Sequence, residues 1–230
     1  MVLDRETIRN GVFQDIVGEG ERLGLLRCWT KTERDASRAA ILDRKPPGPV
    51  WVFAYGSLIW NPAFDFAEKK RGRLYGYHRS FCLWTPVGRG TPENPGLVLA
   101  LKRGGSCNGL LYRLHDDADR QIEELDIIWA REMVTGSYVP SWFRIETETG
   151  PVTAISFAIN PACDRFAAEL GMAEAARAIA TAHGRLGPCY EYLENTVQAL
   201  NDMNIVDSRL HGLRDEVARC RRATAQGAPS

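Results

Sequence analysis

A series of strand-like segments between residues 50 and 160, interrupted by one helix, limits the folds open to this chain more than any other feature. Trp51-Val52-Phe53-Ala54 is apolar and aromatic, the pattern of a buried strand. Arg73, Tyr75, Tyr77, Arg79, Phe81 and Leu83 alternate with Leu74, Gly76, His78, Ser80 and Cys82, a period of two. Residues 97–101 and 107–114 predict two more strands about a hairpin turn at Arg103-Gly104-Gly105-Ser106. Residues 137–146 and 152–159 predict a further pair about Thr149-Gly150-Pro151. The inserted helix spans 116–133, with Asp116, Asp117 and Asp119 favourably placed in its first turn. Several strands around one helix predict an α+β domain with a curved or closed sheet.

The flanks are helical. Residues 4–17 form a helix weakened by Gly11, and 32–42 a better one, with Thr30 or Thr32 as its cap. Arg44-Lys45-Pro46-Pro47-Gly48-Pro49 then makes a stiff linker, so residues 1–49 are an extension ahead of the main domain at 50–222. After Asn160-Pro161, helices are expected over 172–183, from Pro188 to 203, and over 206–222, with a frayed, disordered tail at 223–230. The 230 residues carry 29 Lys+Arg and 29 Asp+Glu, a balance that argues against a broad nucleic-acid or membrane surface. Charges at Asp4, Arg5, Glu6, Arg9 and Asp15 argue against a secretory leader, and six dispersed cysteines read as reduced thiols of a cytoplasmic protein.

Two places stand out for chemistry. Tyr55-Gly56-Ser57 breaks an apolar run that resumes at Leu58-Ile59-Trp60, which suggests a tight turn presenting backbone N–H groups to a ligand. An ordinary strand followed by a turn fits the same residues. On a helical wheel Glu132 lies about 20° from Leu125, with Ile128 and Trp129 on either side, whereas Glu123 falls about 140° from Ile128, towards the opposite face. Glu132 thus sits in the apolar stripe, where burial and the helix C-terminus both raise a carboxyl pKa towards the range of a general acid/base. Arg131 points about 100° away, a poor partner by that measure. A buried Glu satisfied by an arginine from another element, such as Arg144, is the competing reading.

The remaining candidates are weaker. The basic and aromatic positions from Arg71 to Arg79 suit an RNA-binding strand or simply the two sides of a barrel strand. The Gly/Pro-rich loop at 88–96 lacks a Walker ending and reads as a lid or rim. His183 with Cys189, and His78 with Cys82, lack a nucleophile setting, and four single histidines make no metal cluster.

In order along the chain, Val52-Phe53-Ala54-Tyr55-Gly56-Ser57-Leu58-Ile59-Trp60, Gly76-Tyr77-His78-Arg79-Ser80-Phe81, Arg89-Gly90-Thr91-Pro92-Glu93-Asn94-Pro95-Gly96-Leu97, Gly104-Gly105-Ser106-Cys107, Tyr112-Arg113, Arg131-Glu132-Met133, Gly136-Ser137-Tyr138 and Glu191-Tyr192-Leu193 resemble the ChaC-type γ-glutamylcyclotransferases, and the helical preamble is similar to that of the bacterial branch. The resemblance implies a small closed mixed β-barrel with packed helices. It also implies a lyase that cleaves glutathione to 5-oxoproline and cysteinylglycine without metal or cofactor. The family's catalytic glutamate falls on Glu132, and its substrate-binding strand and loop fall on Val52, Phe53, Ala54, Tyr55, Gly56, Ser57 and Leu58. Ala54 departs from the Gly usual before Tyr-Gly-Ser.

The implied chemistry suits these residues. The substrate's α-amine attacks its own γ-carbonyl, so the nucleophile is already tethered, an advantage worth up to about 7–11 kcal/mol. One carboxylate of raised pKa takes a proton from the ammonium and returns one to the leaving amine. Tyr138 and Tyr192 are candidates for lining the pocket, with core packing as the alternative for each. The same ring closure on another γ-glutamyl amine or dipeptide, and a non-catalytic barrel that binds a small acidic ligand or a protein, remain open. The oligomeric state is not legible in the sequence.

Overall fold

Helix formation begins where the side chains of Asp4 and Thr30 can cap it. The computed structural model describes residues 3–226. Asp4 accepts from the Thr7 N–H at 2.9 Å and starts α1 (Arg5–Arg9). The single helix expected over 4–17 is instead two, because Gly11 turns into the left-handed region at φ +75° and opens α2 (Val12–Arg22). At α3 (Lys31–Leu42) the capping box is complete: Thr30 Oγ1 accepts from the Glu33 N–H at 3.2 Å, and the Glu33 carboxylate accepts from the Thr30 N–H at 2.8 Å.

The strands follow as β1 (Trp51–Ala54), then, after the one-turn α4 (Ser57–Trp60), β2 (Glu68–Thr85) and β3 (Gly96–Arg113). Next come α5 (Ala118–Glu132), β4 (Tyr138–Glu146) and β5 (Val152–Ile159). They close into a barrel in the order β1-β3-β2-β4-β5, sealed by parallel pairing of β5 with both β1 and β3. Among the described residues each of the five barrel strands thus has a neighbour on both sides. The mixed α+β barrel expected from the sequence is present.

One expected element is absent. Residues 103–106 are not a hairpin turn, because β3 runs straight through them. Gly104 and Gly105 take φ of +102° and +71° opposite Gly76 at +82°, where the β2–β3 register slips between Tyr75 and Tyr77. The glycines thus absorb a bulge within one long ribbon, and the connection between the two strands is the Gly/Pro-rich loop after Thr85. The bulge also breaks up the basic-aromatic row: Tyr75 is exposed, Tyr77 packs edge-on against Phe143, and Arg79 is buried with Asp207 at 3.5 Å.

The C-terminal part adds α6 (Met172–Thr181), the two-residue strands β6 (His183–Gly184) and β7 (Gly187–Pro188), α7 (Cys189–Asp202) and α8 (Ser208–Gln226). Pro188 stands at the cap of α7 instead of in its first turn. The last helix continues four residues past the expected end at 222, and residues 227–230 of the expected tail lie outside the described residues. Among the described residues no helix is long and apolar enough to cross a membrane.

The N-terminal segment is part of the same body. Gln14 Nε2 donates to the Ala130 carbonyl at 3.0 Å, Trp129 Nε1 to Ser37 Oγ at 3.2 Å, and the Trp29 N–H to the Val134 carbonyl at 2.8 Å. Arg5 grips Glu124, whose side chain is 1% exposed, with two hydrogen bonds of 2.5 and 2.8 Å. Helix α5 is therefore covered on two sides, by the barrel and by the extension. That is why Glu124 and Arg131, about 20° apart on the wheel, are both buried. Glu123 is solvated as expected and meets Arg9 at 3.2 Å.

Candidate active site

Glu132 is the last residue of α5, so its carboxylate stands where the helix carbonyls end and negative charge is least welcome. Burial pushes its pKa up, and the charge of Arg131 opposes that rise. Its side chain is 13% exposed, and the nearest cation is Arg131 Nε at 3.6 Å. This corrects the expectation that Arg131 is a poor partner. The wheel fixes the direction of Cβ, but a long guanidinium side chain curls back beyond it. The contact is single and long, and Arg131 also donates to the Asn61 carbonyl. Arg144 has no part here, since its Nε pairs with Glu146 at 2.9 Å on the surface.

The carboxylate faces a small cavity of about 40 Å³ lined by Tyr55, Gly56, Ser57, Leu58, Tyr138 and Tyr192 together with Leu99 and Phe157. Gly56 caps α4 without a side chain, so no side-chain acceptor satisfies the first-turn N–H groups of Ser57 and Leu58. Approach is close there: a Cβ on Gly56 would lie 3.2 Å from Tyr192 Oη, tight enough to press on the phenol. The phenols are fixed in place. Tyr55 Oη donates to the Phe157 carbonyl at 2.8 Å, and Tyr138 Oη to the Leu99 carbonyl at 2.8 Å. Burial drives the pKa values of Tyr55 and Tyr138 well up and that of Tyr192 to about 12. All three are neutral hydrogen-bonding groups at physiological pH, and among the lining residues Glu132 is the carboxylate.

Of the residues expected at the site, Tyr55, Gly56, Ser57, Leu58, Glu132, Tyr138 and Tyr192 meet around this cavity. Val52, Phe53 and Ala54 do not. They are fully packed in β1, between 0% and 1% exposed, where a barrel strand contributes to the core instead of the cavity. Ala54 is therefore packed in the barrel wall, outside the lining of the pocket. Cys189 is packed as a core thiol: it is buried against the Leu97 backbone, with its pKa raised to about 11 by burial.

The cavity opens into a larger cleft of about 330 Å³ that shares Ser57, Glu132, Tyr138 and Tyr192. Its walls include several residues that the sequence reading missed. Phe13, Val17 and Leu26 come from the N-terminal segment, Arg89 from the Gly/Pro-rich loop and Arg165 from the stretch after β5. The loop is thus a rim, as expected. Arg89 sits inside a motif already singled out, but the N-terminal wall had no signal beyond amphipathic helices.

The match to known proteins covers the barrel and the residues around the inner cavity. The model of the ChaC-like protein family matches residues 50–220. A glutathione-specific gamma-glutamylcyclotransferase of Escherichia coli K12 is 40% identical over 203 residues, covering 87% of this chain and 86% of that protein. The gamma-glutamylcyclotransferase 2-1 of Arabidopsis thaliana is 34% identical over 178 residues, covering 74% and 82%. The crystal structure of a selenomethionine-labelled gamma-glutamyl cyclotransferase specific to glutathione from yeast superposes with a TM-score of 0.68 at 22% identity, over 76% of this chain and 97% of that one, a likeness of fold. With a family model matching most of its length and a relative 40% identical over 87% of it, the chain belongs to the ChaC-like family.

Proposed function

We propose that this protein is a γ-glutamylcyclotransferase acting on glutathione, with Glu132 as general acid/base. The observation that carries the reading is a buried carboxylate of raised pKa that faces a cavity beside Gly56 and Ser57 and has one long contact, at 3.6 Å, with a cation. A carboxylate kept only for structure would be held by closer, paired contacts, as Glu124 is by Arg5 at 2.5 and 2.8 Å. This contrast favours catalysis over a non-catalytic barrel.

In this reading the inner cavity takes the folded-back γ-glutamyl group, and the cysteinylglycine portion extends into the outer cleft. Glu132 removes a proton from the α-ammonium, the freed amine attacks the γ-carbonyl carbon, and the C–N bond to the cysteine breaks. The attacking nitrogen sheds its second proton as the lactam forms, and through Glu132 the departing amine takes up both protons and leaves as an ammonium, with 5-oxoproline as the other product. The N–H groups of Ser57 and Leu58 serve the α-carboxylate or the developing oxyanion, where donors fixed in advance lower the barrier most. The attack is intramolecular, so the chemistry calls for neither a covalent enzyme intermediate nor a cofactor. Residues 50–222 supply the reacting groups and 1–49 a wall of the cleft, and free cysteines throughout suit a cytoplasmic setting.

Incubation with glutathione and a panel of γ-glutamyl dipeptides and amines, with 5-oxoproline followed by mass spectrometry, tests the assignment. Release from glutathione is expected. Release from other γ-glutamyl compounds alone would refute the substrate.

A further inference from the structure

Three guanidinium groups line the outer cleft, and they differ in what balances them. Arg131 has Glu132 at 3.6 Å. Arg89 has Glu191 at 3.7 Å and donates to the Pro188 carbonyl at 3.0 Å. Arg165 has no carboxylate within ion-pair distance among the described residues. It is held instead by neutral oxygens: Nη1 donates to the Trp84 carbonyl at 3.0 Å, and Nη2 donates to Thr135 Oγ1 at 3.0 Å and Ser137 Oγ at 2.5 Å. The cation is thus fixed in direction while its charge stays uncompensated, and a guanidinium has five donors of which these contacts use three. Ser137 directly precedes Tyr138, which lines the inner cavity with Glu132, so Arg165 is anchored next to the junction of cavity and cleft.

A charge count gives this cation a partner. Glutathione carries one ammonium and two carboxylates at neutral pH. The inner cavity offers Glu132 to the ammonium and the α4 N–H groups to the α-carboxylate, which leaves the carboxylate at the far end of the leaving peptide. That end lies in the outer cleft, where Arg165 is the cation without a counter-charge. Resting on the proposed glutathione activity, we infer that Arg165 recognises the C-terminal carboxylate of the leaving peptide and selects γ-glutamyl peptides over γ-glutamyl amines and amides. A planar fork meeting a carboxylate gives direction as well as charge.

The test compares glutathione with its glycine carboxamide in the wild type, Arg165→Met and Arg165→Lys, measuring 5-oxoproline release and thermal unfolding. A charge-assisted hydrogen bond corresponds to about a ten- to hundred-fold preference of the wild type for the acid in kcat/KM. Arg165→Met is expected to raise KM for glutathione by that factor, to alter kcat little, and to affect the amide far less, so that the preference collapses towards one. Arg165→Lys keeps the charge without the fork and should retain part of the preference. An arginine that merely ties Trp84 to Thr135 and Ser137 would, on removal, weaken acid and amide alike and lower the unfolding temperature. That pattern, or a wild type that turns over acid and amide equally, overturns the inference and leaves the glutathione reading standing. No release from either substrate overturns both. Should Arg165→Met not fold, the wild-type and Arg165→Lys preferences decide alone: a wild type that discriminates with a lysine variant that discriminates less supports the inference, and equal preferences refute it.

Discussion

Replacing Arg5 with Met probes how firmly the N-terminal segment is bound to the helix that carries Glu132. The Glu124 side chain is 1% exposed and Arg5 30% exposed, joined by hydrogen bonds of 2.5 and 2.8 Å, with a third from the Asp65 N–H at 2.9 Å. Removing one partner of a buried ion pair costs about 3–5 kcal/mol because the other charge is stranded. The partial exposure of Arg5 and the surviving Asp65 donor bring the expected loss to about 2–3 kcal/mol. For a chain of this size that is a fall of about 4–12 °C in unfolding temperature. A cycle with Glu124→Gln assigns the loss to the pair: the double variant should be less destabilised than the sum of the singles by at least about 1 kcal/mol. Urea unfolding of the four proteins measures it. Since α1 leads into the helix that supplies Phe13 and Val17 to the cleft, KM for glutathione should rise in Arg5→Met. A loss below about 0.5 kcal/mol, or strict additivity in the cycle, would refute the view that this segment is an integral part of the body.

Three further outcomes follow from single contacts. Folding raises the Glu132 pKa, so this residue favours the native state at low pH and its contribution is lost as pH rises from the ordinary carboxyl range through the raised value; Glu132→Gln should therefore match the wild type in stability in acid and overtake it towards neutrality, as pH-dependent urea melts will reveal, while wild-type kcat/KM falls on acidification through the same raised pKa. Gly90→Ala places a Cβ 2.2 Å from the Gly96 nitrogen and 2.7 Å from the Thr85 carbonyl, both backbone, and should cost about 1–3 kcal/mol by calorimetry along with activity, because this loop rims the cleft. Ala54→Gly should cost about 0.5–1 kcal/mol of stability and leave 5-oxoproline release close to wild type, since Ala54 is packed in β1 outside the cavity lining.

The barrel and the position of Glu132 were legible because both depend on local patterns: period-two runs in the strands and one acidic residue in an apolar helical stripe. What escaped depends on packing between distant segments. Gly104-Gly105 reads as a turn because a bulge and a turn make the same local demand, positive φ, and the difference lies in Gly76 on the neighbouring strand. Glu124 lies about 40° from Ile128 on the wheel, so its burial was signalled, but the partner that makes it tolerable, Arg5, is 119 residues away. The stretch from Val52 to Leu58 divides by geometry: its first three residues build the barrel and its last four the cavity. Arg165 belongs to no motif and acquires its role from the cleft it faces.

The central claim is that Glu132 moves the protons of an intramolecular ring closure. Release of 5-oxoproline from saturating glutathione by wild type and Glu132→Gln, each checked for cooperative unfolding, tests it most directly. Gln fills nearly the same volume and cannot accept the ammonium proton, so kcat should fall by about 10²–10⁴-fold in a variant that is folded and, at neutral pH, at least as stable as the wild type. A folded Glu132→Gln protein that releases 5-oxoproline at the wild-type rate would contradict the account.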